Sequence, residues 1–243
     1  MILVKWIYTI YAGLLFAITY ILQLPVFWLS ARKTEWHVLG LKTNRFWAKF
    51  YFPMIFMPVR IEFRYRPEKR EKLIICANHF SYFDIPALVW LPTPFKFIGK
   101  SSIANIPLFG YMFRKLHLSV DRSSFRDRAD SLNRAREAVE NGFNLAFFPE
   151  GGVRATHPPK MVPFRDGAFK LAVEKQLPIL PVSMPNNYKI LPDDGKYLLS
   201  PGVLKIVVHE PIRPTSTNDD EIEVLKQKVF DVIQQDLNKS VSK

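Results

Sequence analysis

The segment Asn78-His79-Phe80-Ser81-Tyr82-Phe83-Asp84 holds the side chains best suited to chemistry. Histidine titrates near neutral pH and is the usual general base there. A carboxylate five positions on, across a turn or first helical turn, can accept the Nδ1–H of that ring. Such a contact fixes the tautomer and stabilises the imidazolium as it forms. No Gly-x-Ser-x-Gly occurs in the chain. The single cysteine, Cys76, lies in the apolar run Leu73-Ile74-Ile75-Cys76-Ala77 and reads as a small core residue. A covalent intermediate on the protein is therefore not suggested, and the pair suits direct activation of a substrate hydroxyl. His37, His117, His157 and His209 fall outside this block and read as structural or solvated. There is no metal-ligand spacing and no phosphate-binding P-loop, so neither metal nor cofactor is expected.

Those residues need strands to deliver them. Short apolar runs at Leu73–Ala77, Lys96–Ile98, Leu145–Phe148, Ile179–Val182 and Leu204–Val208 predict buried strands. Between them, Phe125–Glu140 has helical spacing and ends at Asn141-Gly142, and Gly167–Lys175 predicts a shorter helix. Ile222, Leu225, Val229, Val232, Ile233 and Leu237 fall on one face of a C-terminal helix beginning after Asn218-Asp219-Asp220. Strands alternating with helices predict an α/β fold with a largely parallel sheet flanked by helices. His79 then follows directly after a strand, where side chains project into a cleft.

The rest of the composition points to a surface. The chain has 243 residues, enough for one domain with a full core and a short appendage. One cysteine excludes an intramolecular disulfide and a cysteine-based zinc cluster. Net charge is +12 (34 basic, 22 acidic), which calls for an anionic partner: nucleic acid, phosphorylated substrate or acidic lipid. An aromatic content of 14%, with 20 Phe, favours the membrane over nucleic acid. No charged residue occurs from Trp6 to Ala31, and Ile7–Leu29 is long enough to span a bilayer or to bend within one leaflet at Pro25. A second apolar stretch, Phe46–Phe63, is broken by Pro53 and Pro58 and reads as an interfacial or re-entrant segment. From Arg32 to Lys72 there are eleven basic and four acidic side chains, which suits attraction to anionic lipid.

Three further blocks complete the pattern. Phe97-Ile98-Gly99-Lys100 ends a strand with a cation, and Phe148-Pro149-Glu150-Gly151-Gly152 follows another. Then come Val162-Pro163-Phe164-Arg165-Asp166-Gly167-Ala168 and Leu177-Pro178-Ile179-Leu180-Pro181-Val182. In order and spacing, over roughly residues 70 to 185, these blocks resemble the glycerolipid acyltransferase family, whose best-known members are the 1-acyl-sn-glycerol-3-phosphate acyltransferases. The resemblance implies that His79 is the base and Asp84 its orienter. It implies that a hydroxyl attacks the thioester of acyl-CoA or acyl-carrier protein. It assigns Glu150 and Gly151, with Gly152, to the acceptor-binding turn, Lys100 and an arginine after the glycines to the acceptor phosphate, and Pro181 to the acyl-donor side. Arginine binds phosphate bidentately, so Arg154 and Arg122 are the candidates beside Lys100. The family commonly reads Phe-Pro-Glu-Gly-Thr-Arg-Ser. Here Gly152 replaces the threonine, Val153 stands at the arginine, and Arg154 comes one place later. Either Arg154 reaches the phosphate through the Gly-Gly turn, or the acceptor differs.

The expectation is then a membrane acyltransferase with residues 1–65 as anchoring helical segments. Residues 66–243 form the acyltransferase domain with its C-terminal amphipathic helix. The expected reaction acylates the 2-hydroxyl of 1-acyl-glycerol 3-phosphate, giving phosphatidate. Another lysolipid or glycerol 3-phosphate is the alternative acceptor, and a non-catalytic basic membrane-binding protein is the alternative of another class. The expected partners are the acyl donor, a phosphorylated lysolipid and a membrane with anionic lipids, with no nucleic acid. The positive-inside rule places the domain on the cytoplasmic face of the inner membrane.

Overall fold

The computed structural model describes residues 2–68, 71–106, 109–121 and 125–241. In chain order the elements are α1 (Ile2–Ile21), α2 (Leu24–Ser30), α3 (His37–Met54), β1 (Val59–Phe63), β2 (Ile74–Ala77), α4 (Asp84–Leu88), β3 (Phe95–Lys100), α5 (Phe109–Leu116), β4 (Leu118–Val120), α6 (Phe125–Glu140), β5 (Asn144–Phe147), α7 (Gly167–Lys175), β6 (Ile179–Ser183), α8 (Asn187–Ile190), β7 (Leu204–Val208) and α9 (Asp220–Val241). The strands form one seven-stranded sheet in the order β1-β7-β6-β2-β5-β3-β4. The five strands β6, β2, β5, β3 and β4 are mutually parallel. β7 runs antiparallel to β6, and β1 is parallel to β7, so the two edge strands on that side point the other way.

Each strand is short and apolar because both faces of the sheet are covered. Ile74, Ile75, Cys76 and Ala77 of β2 are completely buried. Cys76 is therefore a core residue, and burial pushes its thiol pKa up. On one face lie α6, α7 and α9, where Leu225, Val229, Ile233 and Leu237 form the buried stripe of α9. Gly142 ends the α6 turn at φ +84°, a conformation glycine adopts without strain. On the other face lie α1, α3 and α4, with Ala12, Trp47, Tyr51, Phe52, Ala87 and Leu88 in one cluster with Leu73 and Ile75.

The second apolar stretch is a helix end followed by a strand rather than one re-entrant segment. Phe46–Met54 is the second half of α3, whose inner face is core, and Val59–Phe63 is the edge strand β1. The prolines mark the end of α3 and the approach to β1 rather than a re-entrant turn. Pro25 sits in the first turn of α2, where its missing N–H costs no helical bond.

α1 lies along α3 in the opposite direction. The hydroxyls of Tyr8 and Tyr11 donate to the carbonyls of Ile55 and Met54, and that of Tyr51 donates to Ala12 O. Trp47 Nε1 donates to Thr19 Oγ1 at 2.9 Å. Leu199 N donates to Thr9 Oγ1 at 2.9 Å, which ties α1 to the distant loop ahead of β7. The outward face of the pair is apolar and exposed, with Ile7, Leu14 and Ile18 on α1 and Phe46 and Phe50 on α3.

Candidate active site

β2, β5, β3 and β4 end at the same sheet edge, so their following loops converge there. His79 stands two residues beyond β2. The loop that carries it is anchored from below by Asn78. Its side-chain amide donates to Met184 O and accepts from Met184 N, at 3.1 and 2.7 Å. This pins the end of β2 to the end of β6. Ser81 Oγ donates to Leu191 O at 2.8 Å and accepts from Phe83 N, holding the far side of the loop.

Asp84, the first residue of α4, is completely buried. Its Oδ2 lies 3.0 Å from His79 Nδ1 and also accepts the N–H groups of Phe80 and Ser81 at 2.7 and 2.8 Å. Asn187 Nδ2 donates to Oδ1 at 2.8 Å. Four donors thus surround a buried carboxylate, the arrangement a buried charge requires. His79 carries its Nδ1 proton toward Asp84, and its Nε2 carries no hydrogen bond among the described residues. The ring stacks on Phe148, with centroids 4.0 Å apart and planes 18° apart. The imidazole is held in one orientation from two sides.

Glu150 comes from the turn after β5. Its Oε1 accepts the backbone N–H of His79 at 2.7 Å, and its Oε2 accepts that of Val162 at 3.1 Å. Burial pushes its carboxyl up to about 7, although the N–H bonds from His79 and Val162 oppose the shift. Gly151 N donates to Phe148 O at 2.9 Å, closing a tight turn in which Gly151 has φ +85° and Gly152 φ +146°. A Cβ on Gly151 would stand 2.5 Å from Arg165 Nε, and one on Gly152 would stand 3.7 Å from Arg154 Cγ. Two arginine stems therefore lie against the two glycines. Both arginines are exposed and neither has a salt bridge among the described residues.

The structure brings His79, Asp84 and Glu150 together, and Gly151, Gly152 and Arg154 follow in the turn after Glu150. Lys100 is the exposed last residue of β3, at the same sheet edge but with β5 between it and β2. Arg122 lies outside the described residues. Pro181 is buried in the middle of β6 beside Cys76, below the loop edge, and its carbonyl accepts His209 N. Arg165 and Asn187 were not singled out from sequence. Arg165 lies inside one of the motif blocks. Asn187 is 103 residues from Asp84, with no local signal to mark it.

A carboxylate-held histidine thus stands above the strand ends of a mostly parallel α/β sheet, an arrangement able to move a proton at a loop cluster. The chain belongs to the acyltransferase family, whose profile matches residues 59–185. A 1-acyl-sn-glycerol-3-phosphate acyltransferase of Chlamydomonas reinhardtii is 32% identical over 164 residues, 67% of this chain and 49% of that protein. A chloroplastic one of Brassica napus is 31% identical over 147 residues, 60% of this chain and 42% of that protein. This chain thus spans about half the length of these relatives, or less. The crystal structure of the 1-acyl-sn-glycerophosphate acyltransferase PlsC from Thermotoga maritima has a TM-score of 0.78 and 25% sequence identity, covering 98% of each chain.

Proposed function

We propose that the protein transfers an acyl group from a thioester donor, acyl-CoA or acyl-carrier protein, to the 2-hydroxyl of 1-acyl-glycerol 3-phosphate. The observation that carries this reading is the His79–Asp84 contact at 3.0 Å, which leaves Nε2 as the proton acceptor. His79 Nε2 takes the hydroxyl proton as the acceptor oxygen forms its bond to the thioester carbonyl carbon. The C–S bond then breaks, and the imidazolium returns the proton to the departing sulfur. Asp84 stabilises the imidazolium between these steps. Glu150 holds the His79 backbone, and Arg154, Arg165 and Lys100 bind the acceptor phosphate. Two exposed arginines against the Gly151-Gly152 turn, with no salt bridge among the described residues, favour a phosphorylated acceptor despite the altered residues there. Pro181 supports the acyl-donor side from within the sheet.

Residues 1–65 supply the membrane attachment, and the cytoplasmic face of the inner membrane is the proposed location. α1 is, among the described residues, the one helix long and apolar enough to cross a bilayer. Its bonds to α3 run from Tyr8 to Thr19, and α3 is itself packed on the sheet. Crossing would drag that charged, core-packed helix into hydrocarbon. The pair therefore lies in one leaflet on its exposed apolar face, beside an anionic surface. The test is acyl transfer by detergent-purified protein, with labelled acyl-CoA and acyl-carrier protein against a panel of lysolipids and glycerol 3-phosphate. Transfer to lysophosphatidate that disappears in His79→Ala is expected. Transfer unaffected by His79→Ala, or none to any acceptor, overturns the reading.

A further inference from the structure

A cavity of about 410 Å³ lies between α3 and the Pro92–Phe97 segment. β3 runs parallel to β2 through β5, and Phe95 and the residues before it are at the entry end of that strand. His79 lies beyond the exit end of β2. Along the backbone four residues of strand, roughly 13 Å, separate the level of Phe97 from that of His79, and Phe148 stands between the two rings, stacked on His79 at 4.0 Å and on Phe97 at 6.0 Å. The lining is mixed. Leu41, Val89, Phe95 and Phe97 make an apolar floor, while Lys42, Arg45 and Lys49 of α3 line the same space.

The three cations have no carboxylate partner among the described residues. Arg45 is half-buried. One of its terminal nitrogens donates to Pro92 O at 3.2 Å, but its Nε is buried without any hydrogen-bond partner. A buried guanidinium N–H left unpaired is costly, and an anionic oxygen in the cavity removes that deficit. His117 also lines the space, and its Nδ1 accepts Phe97 N, so the neutral ring keeps its proton on Nε2 as a further donor. Phe46 lines the cavity and is 64% exposed, and it continues into the exposed apolar face with Phe50. The opening therefore meets the surface proposed above to lie in the leaflet.

We propose that this cavity binds a membrane phospholipid with an anionic headgroup, its phosphate on Arg45, Lys42 and Lys49 and the start of its chains over Leu41, Val89 and Phe95. The lipid is separate from the substrates at His79. It fixes the depth and tilt of the domain on an anionic membrane. The inference rests on the membrane attachment proposed above, but not on the reaction.

The test is native mass spectrometry of full-length protein released from detergent, titrated with phosphatidylglycerol or phosphatidylcholine, without acyl donor. One phosphatidylglycerol retained in preference to phosphatidylcholine is expected. Arg45→Gln weakens that retention by about tenfold, the size of one charge-assisted bond. Lys115→Gln, an exposed cation of α5 with the same charge change, leaves it within about twofold. Val89→Phe fills the floor without altering charge and weakens retention as well; if it fails to fold, Arg45→Gln decides. Equal losses in Arg45→Gln and Lys115→Gln mean general surface charge and overturn the proposal. So does equal retention of phosphatidylcholine. Displacement of the lipid by millimolar inorganic phosphate alone also overturns it, since the ligand is then a free anion. An altered acyl-donor chain preference in Val89→Phe, with lipid retention unchanged, assigns the cavity to the donor instead. A protein inactive in acyl transfer that still retains the lipid refutes the proposed reaction and leaves this site standing.

Discussion

Glu150 Oε1 holds the backbone N–H of His79 at 2.7 Å, so the turn after β5 fixes the loop after β2. The carboxylate meets His79 through its main chain and has no contact with the ring among the described residues. Such a contact can position the imidazole proposed above as the base. That division separates it from Asp84, which meets the ring itself.

The pH dependence of stability reports on Glu150. Its carboxyl titrates near 7 in the folded protein, against an ordinary value of 4.5. Between those values the folded state binds more protons than the unfolded state, so stability falls as pH rises through that window. Relative to Glu150→Gln, the wild type should lose up to roughly 3 kcal/mol from pH 4.5 to 7.5. Urea unfolding in detergent at several pH values measures this. Parallel profiles for the two proteins would remove Glu150 as the titrating group.

Asp84→Asn separates charge from hydrogen bonding. The remaining carbonyl oxygen can keep the Phe80 and Ser81 N–H groups, and Asn187 can turn its unpartnered Oδ1 toward the new amide. The fold should therefore change by less than about 1 kcal/mol. Turnover should fall by about three to four orders of magnitude, because the imidazolium loses its counter-charge. A kcat within tenfold of wild type would mean that Asp84 is structural.

The Gly-Gly turn makes a prediction about substrate binding. Gly151→Ala introduces a side chain at φ +85° and pushes against Arg165. It should cost about 1 kcal/mol in stability. It should also raise the acceptor KM, as should Arg165→Gln and Arg154→Ala, with the donor KM unchanged. Equal changes in both KM values for the arginine variants would place the phosphate elsewhere.

Membrane attachment is tested on α1 without touching its packed face. Ile7 and Leu14 are both 60% exposed, whereas Ala12 is 2% exposed. The pair Ile7→Glu and Leu14→Glu should shift the protein from sedimenting membranes to supernatant by at least about tenfold, with little change in thermal unfolding. Ala12→Glu should unfold it. Undiminished sedimentation of the double variant would locate attachment on another surface.

The central strands were legible because apolar runs of four or five residues between helical periods have few other readings. The helix limits Phe125–Glu140 and Gly167–Lys175 were legible for the same reason, with Gly142 ending the first. β1 and α3 were not. Phe46–Phe63 is aromatic, proline-broken and lightly charged, a composition shared by a helix packed on a sheet and by an interfacial segment. Only the partner strand β7, far along the chain, distinguishes them. In the site, His79 and Asp84 stood out by type and spacing, and Glu150 through the family resemblance of its block. Arg165 and Asn187 did not, because their contacts arise from folding across distance and each is an ordinary residue in its local sequence. His209 read as structural or solvated. It is buried between Arg64 and Ser183, at 3.0 and 2.7 Å.

β1 has one neighbour in the sheet, and that neighbour is β7. During synthesis, residues 59–63 wait for residues 204–208 before they can pair. α1 waits similarly for Leu199, whose N–H meets Thr9. A ribosome that has released only the first half of the chain therefore presents two apolar helices with no completed sheet beneath them. Under the membrane attachment proposed above, the bilayer offers those helices a surface during that interval.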